Sequence, residues 1–337
     1  MNPIIELKDI SKEFKILNRR EGLIGSVKDL FSRNYNIIKA VDHVSLTIER
    51  GEMVGYLGPN GAGKSTTIKM MTGVLEPTSG TITVNGKIPY KNRSQNAQNI
   101  GVVFGQRSQL WWALPVIESF KLLRDIYRIS GKDYKAQMAL YESLVDIKSL
   151  YHKPVREMSL GQRTLCDILA AFLHNPSVIF LDEPTIGLDV SMKAKIRELI
   201  KELNARRNTT VILTTHDIGD VDALCKRIII IDKGAMLYDN SAENLKGFFG
   251  DYRTLKLKTN DGHTVESITE KLAERFPDAP SIAVTSGEEW LSVLSRENEA
   301  PIMEILPFMQ SFTSIADIKI EEINTEDIIK KIYEGSI

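Results

Sequence analysis

The stretch Met53-Val54-Gly55-Tyr56-Leu57-Gly58-Pro59-Asn60-Gly61-Ala62-Gly63-Lys64-Ser65-Thr66 constrains this chain more than any other. It reads as a short apolar strand, a glycine-rich loop and the start of a helix. The pattern is G-x-x-x-x-G-K-S, the phosphate-binding loop. Gly58, Gly61 and Gly63 let backbone N–H groups approach phosphate oxygens and take conformations that other residues resist. The helix that follows turns its positive end toward the same anion. Lys64 would reach the β- and γ-phosphates, and the Ser65 hydroxyl would ligate Mg²⁺. Asn60 and Thr66 complete the candidate nucleotide cradle.

Composition narrows the class without naming a function. The 337 residues suffice for one large or two moderate domains, and 42% apolar with 26% charged residues is ordinary for a water-soluble protein. With 43 basic and 44 acidic residues the chain is nearly neutral, so no nucleic acid partner is expected. Cys166 and Cys225 lie in apolar surroundings without C-x-x-C spacing, which reads as two buried reduced thiols. No signal peptide pattern stands at the N-terminus. A membrane-spanning helix needs about 20 mostly apolar residues, and the longest clean run is the short stretch from Ile168 to Leu173. Any membrane work would therefore need a second polypeptide.

Residues 4–9 and 41–49 alternate like strands. Between them an insertion, about 15–40, places Leu23, Ile24, Val27, Leu30 and Phe31 at helical spacing. Lys15, Arg19, Arg20, Lys28, Arg33 and Lys39 flank them against only Glu21 and Asp29. That describes a basic amphipathic helix, for an anionic surface, a partner or its own domain. Asn85-Gly86 signals a hairpin turn after a strand at Thr81–Val84. Residues 87–175 read as largely helical. The apolar runs 178–181, 210–213 and 228–231 read as strands buried on both faces, with a helix over 191–205 giving β-α-β alternation. After about residue 250 the order becomes β-α-β-β-α-β with a last helix capped by Thr325. This suggests a small ferredoxin-like α+β appendage over 251–337.

Further motifs supply chemistry. Val178 to Leu181 lead into Asp182 and Glu183, a strand ending in two carboxylates. The first suits a Mg²⁺ shell and the second could polarise a water. His216 follows the strand 210–213, where it faces the ligand crevice of a parallel sheet. Gln106 ends another strand and could reach the metal or the water. Ser159 and Gln162 have the S-x-x-Q spacing of a capping box, and their helix N-terminus would also suit an anion.

Together the loop, Gln106, Ser159–Gln162, Asp182-Glu183, Gly187-Leu188-Asp189 and His216 resemble the nucleotide-binding subunit of ATP-binding cassette transporters over roughly residues 4–245. The resemblance implies an α/β P-loop NTPase cassette, with a RecA-like core, an antiparallel β subdomain and a helical subdomain over about 87–175. It implies that Gln106 is the Q-loop residue and that Ser159, Gly161 and Gln162 are the signature motif. Asp182 would be the Walker B aspartate, Glu183 the catalytic base, Asp189 the D-loop residue and His216 the switch histidine. Phe14 falls where the family stacks the adenine ring, with Tyr35 as the alternative. One departure is plain: the family's Leu-Ser-Gly-Gly-Gln is Met158-Ser159-Leu160-Gly161-Gln162 here, with a bulky Leu160 for a glycine.

The resemblance further implies ATP with Mg²⁺, a second cassette packed head to tail (a second copy rather than a different chain) and an integral-membrane permease. The complex would sit at the cytoplasmic face of the membrane. Each ATP would lie between one loop and the opposite signature helix, and the apolar Trp111-Trp112-Ala113-Leu114-Pro115 would suit the permease contact. The Ser-Leu-Gly-Gln-Arg variant and the insertion look like one branch of type-2 exporter ATPases. Alternatives are a polysaccharide exporter and a soluble, non-transport cassette ATPase. A GTPase is disfavoured, because no Asn-Lys-x-Asp motif occurs.

Overall fold

A computed structural model describes residues 3–17, 35–104, 108–215, 217–248, 252–259, 264–287 and 289–322. The chain divides into two units, Met1–Asn240 and Ser241–Ile337. The first begins with β1 (Ile5–Leu17), β2 (Tyr35–Ile48), β3 (Met53–Leu57), α1 (Lys64–Met71) and β4 (Ser79–Val84). A stretch richer in helix follows: α2 (Arg93–Ala97), β5 (Ile100–Phe104), α3 (Val116–Ile126), α4 (Gly131–Leu144) and α5 (Leu160–Phe172). The unit closes with β6 (Val178–Asp182), α6 (Val190–Arg207), β7 (Thr210–Thr214), α7 (Ile218–Leu224), β8 (Arg227–Asp232) and β9 (Ala235–Ser241).

Six strands form one sheet in the order β5-β6-β7-β3-β8-β9, with β3, β5, β6, β7 and β8 paired in parallel. Their uninterrupted β-branched sequences follow from burial on both faces. Val178 to Leu181, Val211 to Leu213 and Ile228 to Ile231 are essentially inaccessible. A second sheet, β2-β1-β4, is antiparallel. Its Asn85-Gly86 corner has positive φ at both residues, and Val84 and Lys87 exchange backbone hydrogen bonds, as the sequence signal requires.

The β1–β2 ladder runs further than the alternation at 4–9 and 41–49 suggests. Phe14 pairs with Ile38, Lys15 with Ile37 and Leu17 with Tyr35, so both ends of the expected insertion are strand. The reason is non-local: the extension is fixed by cross-strand partners, not by local periodicity. The basic helix expected from Leu23 to Phe31 lies outside the described residues.

The second unit holds α8 (Ala242–Phe248), β10 (Tyr252–Thr259), α9 (Val265–Arg275), β11 (Ala283–Ser286), β12 (Leu291–Arg296), α10 (Ile302–Gln310) and β13 (Ile315–Glu322). Its sheet has the order β11-β12-β10-β13, with every pair antiparallel. Helices α9 and α10 thus each join two strands separated by a third, a split β-α-β arrangement. Leu255, Leu257, Ile268, Leu272, Val293, Ile305 and Met309 make its core. The helix expected after Thr325 lies outside the described residues.

Candidate functional site

Parallel strands deliver their following loops to one edge of the sheet, the usual ligand side of such a fold. Strand β3 ends at the glycine loop, β6 at Asp182 and β7 at Thr214. The loop packs tightly. A Cβ on Gly58 would lie 2.5 Å from the Ile231 carbonyl oxygen. One on Gly63 would lie 2.3 Å from that of Ala40, and Gly63 has φ +107°. Only glycine fits at these two positions. Asn60 and Gly61 are exposed, and Ser65 and Thr66 stand in the first turn of α1.

Lys64 is half-buried. Its ammonium donates to the Pro59 carbonyl at 3.0 Å and to that of Gly58. Burial lowers its pKa, while the charges of Glu183 and Asp182 pull it back up. The lysine and the two carboxylates, far apart in sequence, therefore share one electrostatic environment. Asp182 stands in register with Thr214 on the neighbouring strand, and the Thr214 hydroxyl donates to its Oδ1. Glu183 has φ +54°, uncommon for a residue with a side chain, and its N–H donates to the Thr214 carbonyl at 2.9 Å. Such conformations cost about 1–3 kcal/mol and cluster at functional sites.

For a divalent cation, the Ser65 hydroxyl and the second Asp182 oxygen are hard donors without hydrogen bonds among the described residues. No cluster of three or more metal-ligating side chains occurs there either. That donor set fits Mg²⁺, which is held by one or two protein oxygens and completed by water and phosphate.

Ser159 caps α5. Its hydroxyl accepts from the Gln162 N–H at 3.3 Å, and the Gln162 side chain accepts from the Ser159 N–H at 3.2 Å and from Lys153 at 3.0 Å. The capping box is real. Gly161 is where α5 meets α6: a Cβ there would lie 2.6 Å from Met192 Cγ. Leu160 is 40% exposed and rests against Gly187. Asp189 caps α6, accepting from the Met192 N–H at 2.9 Å. Phe14 is exposed on β1, two ladder steps from the Lys12–Val41 pair beside Ala40. Gln106 and His216 lie outside the described residues.

Sequence reasoning missed the groups that brace this edge. Asp220 in α7 is fully buried and accepts from Arg197 at 2.6 and 2.7 Å, from Thr215 at 3.3 Å and from Thr185. It joins the loop after Glu183 to the residue before position 216. Asp217 caps α7 and pairs with Lys193 and Arg197. Burial raises its pKa, but Lys193, Arg197 and the Gly219 N–H outweigh that and hold it below the ordinary range. Asp167 in α5 is buried too, and burial pushes its carboxyl up to about 6 against bonds from Ser108 and Gln109 and the charge of Arg163. The only sequence signal was polar residues inside apolar periodicity. Cys166 and Cys225 are free and buried, as expected, with burial raising both thiols to about 12.

Residues 41–186 match the family described as ABC transporter. The chain is 35% identical over 215 residues to the ABC transporter ATP-binding protein NatA of Bacillus subtilis (strain 168), covering 64% of this chain and 87% of that protein. It is 30% identical to ABC transporter A family member 1 of Dictyostelium discoideum, covering 76% of this chain but only 29% of that longer relative. Among solved structures it resembles the dimeric post-hydrolysis state of an ATP-binding cassette bound to ADP and Pi. There the TM-score is 0.56 and the identity 27%, over 70% of this chain and 98% of that one.

Proposed function

The chain belongs to the ATP-binding proteins of ABC transporters, a family of ATPases, and on that premise we propose that it drives export through a separate permease. Two copies close on two ATP molecules, and hydrolysis with Glu183 as base reopens them. The observation that carries this reading is the meeting of Lys64, Asp182 and Glu183 at one sheet edge, while Ser159 spends its capping bonds within its own helix. These groups support a phosphate cradle and a hydrolytic carboxylate within one chain, with the exposed α5 N-terminus at Ser159 and Leu160 serving the nucleotide of another.

Within that reading Lys64 binds the terminal phosphates, and Ser65 and Asp182 hold Mg²⁺, which would neutralise phosphate charge. Thr214 orients Asp182, and Gln106 and His216 act on the attacking water or the γ-phosphate. Asp189 fixes α6 beside the opposing subunit, and Phe14 stacks on the base. Among the described residues no helix is long and apolar enough to cross a membrane, which fits a division of labour with a permease. Trp111 and Trp112, both exposed, offer the contact, and the complex works at the cytoplasmic face. Affinity purification from detergent-solubilised membranes tests this. A polytopic membrane protein should come along in stoichiometric amount, and its absence would remove the transport assignment for this chain.

A further inference from the structure

A buried carboxylate that the nucleotide chemistry leaves unused lies two turns into α5. Asp167 is 6% exposed. Its Oδ1 accepts the Ser108 hydroxyl at 2.8 Å and the Gln109 N–H at 3.0 Å, and its backbone carbonyl accepts the Gln109 side-chain amide at 2.8 Å. The same stretch is laced onward: the Leu110 N–H donates to Ser108 Oγ at 3.2 Å, and the Trp111 N–H donates to buried Ser119 at 3.3 Å. One turn before Asp167, the Arg163 guanidinium lies 5.1 Å from the centre of the Trp112 ring. A cavity of about 150 Å³ beside Asp167, lined also by Phe104, Ser108 and Gln109, borders the contact on the β5 side.

A buried carboxylate costs several kcal/mol in lost hydration unless its partners compensate. Here the hydrogen-bond donors to the Asp167 carboxylate come from one stretch, 108–110, and its charge partner Arg163 reaches the same segment again at Trp112. An apolar residue would fill the space more cheaply but would not hold that stretch in one register on the helix. We propose that Asp167 and Arg163 are positioning residues that fasten the exposed Trp111–Trp112 surface to the helix carrying Ser159. Surface and helix then move as one piece when the cassette closes on a second copy. This rests on the closure reading above.

The test uses the full chain in a Glu183→Gln background, where ATP-bound dimers accumulate. Two quantities are measured: ATP affinity at low protein concentration, and the dimer dissociation constant with ATP by analytical ultracentrifugation. Asp167→Ala should leave ATP affinity within about twofold and weaken dimerisation at least tenfold. Asp167→Asn, which keeps an acceptor oxygen, should restore most of it. In a double-mutant cycle the Asp167→Ala and Trp112→Ala losses should combine to well under their product, because both act on one connection. If Glu183→Gln alone does not dimerise with ATP, the closure reading is at fault. If it dimerises and Asp167→Ala dimerises as tightly, the positioning role is wrong. Should Asp167→Ala fail to fold, Ser108→Ala decides: at least threefold weaker dimerisation is expected, and an unchanged constant overturns the proposal.

Discussion

The ammonium of Lys64 sits 3.0 Å from the carbonyl oxygen of Pro59, six residues along the loop from where β3 releases it at Gly58. The charge is thus already inside the cradle that phosphate would occupy, held by neutral acceptors. Exchanging those neutral carbonyls for phosphate oxygens sets an ionised acceptor against the charged donor, and hydrogen bonds to charged groups are worth about 1.5–3 kcal/mol. Lys64→Ala should therefore weaken ATP binding about ten- to a hundredfold, as read by equilibrium titration, with the melting temperature little changed. Unaltered affinity would remove Lys64 from the site.

Asp220 predicts a stability effect rather than a binding one. Its carboxylate is fully buried on Arg197, Thr185 and Thr215. Asp220→Ala would leave the guanidinium only its 3.5 Å contact with Asp217 and take a shared acceptor from the Thr185 and Thr215 hydroxyls. Breaking a buried pair costs about 3–5 kcal/mol, and Arg197 keeps some exposure, so the lower end, about 3 kcal/mol, is expected in urea unfolding. A loss below about 1 kcal/mol would show that the network is not a brace.

Asp167 gives a pH signature with a definite sign. Burial pushes its carboxyl up to about 6, against an ordinary 3.8. Between those values the unfolded chain has lost the proton while the folded chain keeps it. Rising pH through that window therefore lowers stability, by about 3 kcal/mol at most, and the penalty is constant above it. Asp167→Asn cannot titrate. The unfolding free energy of the parent minus that of the variant should fall by about that amount from pH 4 to 6.5 and then level off. A difference that is flat with pH would contradict this environment.

The tryptophan pair offers a prediction about partners. Trp112 is 55% and Trp111 38% exposed, unusual for side chains of this size in a row. Alanine at both should spare ATP binding by the isolated chain and abolish co-purification with the permease. An intact complex would place the contact elsewhere.

The parts of the fold visible in the sequence are those fixed by neighbours in the chain. The glycine loop, the Asn85-Gly86 corner and the Ser159–Gln162 capping box each depend on a few consecutive residues, and each stands where the sequence puts it. The buried strands β6, β7 and β8 announce themselves by apolar runs. What escaped is held by distant partners. Phe14 and Ile38 extend the first hairpin only because they face each other. Asp167 and Asp220 look like interruptions in apolar helix faces until Ser108, Arg197 and Thr185 are brought to them. Each strand end carries its own signature in the sequence, but the threonine that donates to Asp182 comes from the strand next door.

On the proposed reading, hydrolysis needs Glu183 and a second copy of the chain together. Steady-state ATP hydrolysis of the purified full chain, measured from nanomolar to tens of micromolar protein, tests both. Activity per subunit should rise with concentration and then level off as dimers form. Glu183→Gln should lie about 10²-fold or more below the parent at every point, as expected for loss of a general base, while still binding ATP. Activity per subunit that is constant across the range would contradict the need for a second copy, and near-parental turnover by Glu183→Gln would contradict its role as base.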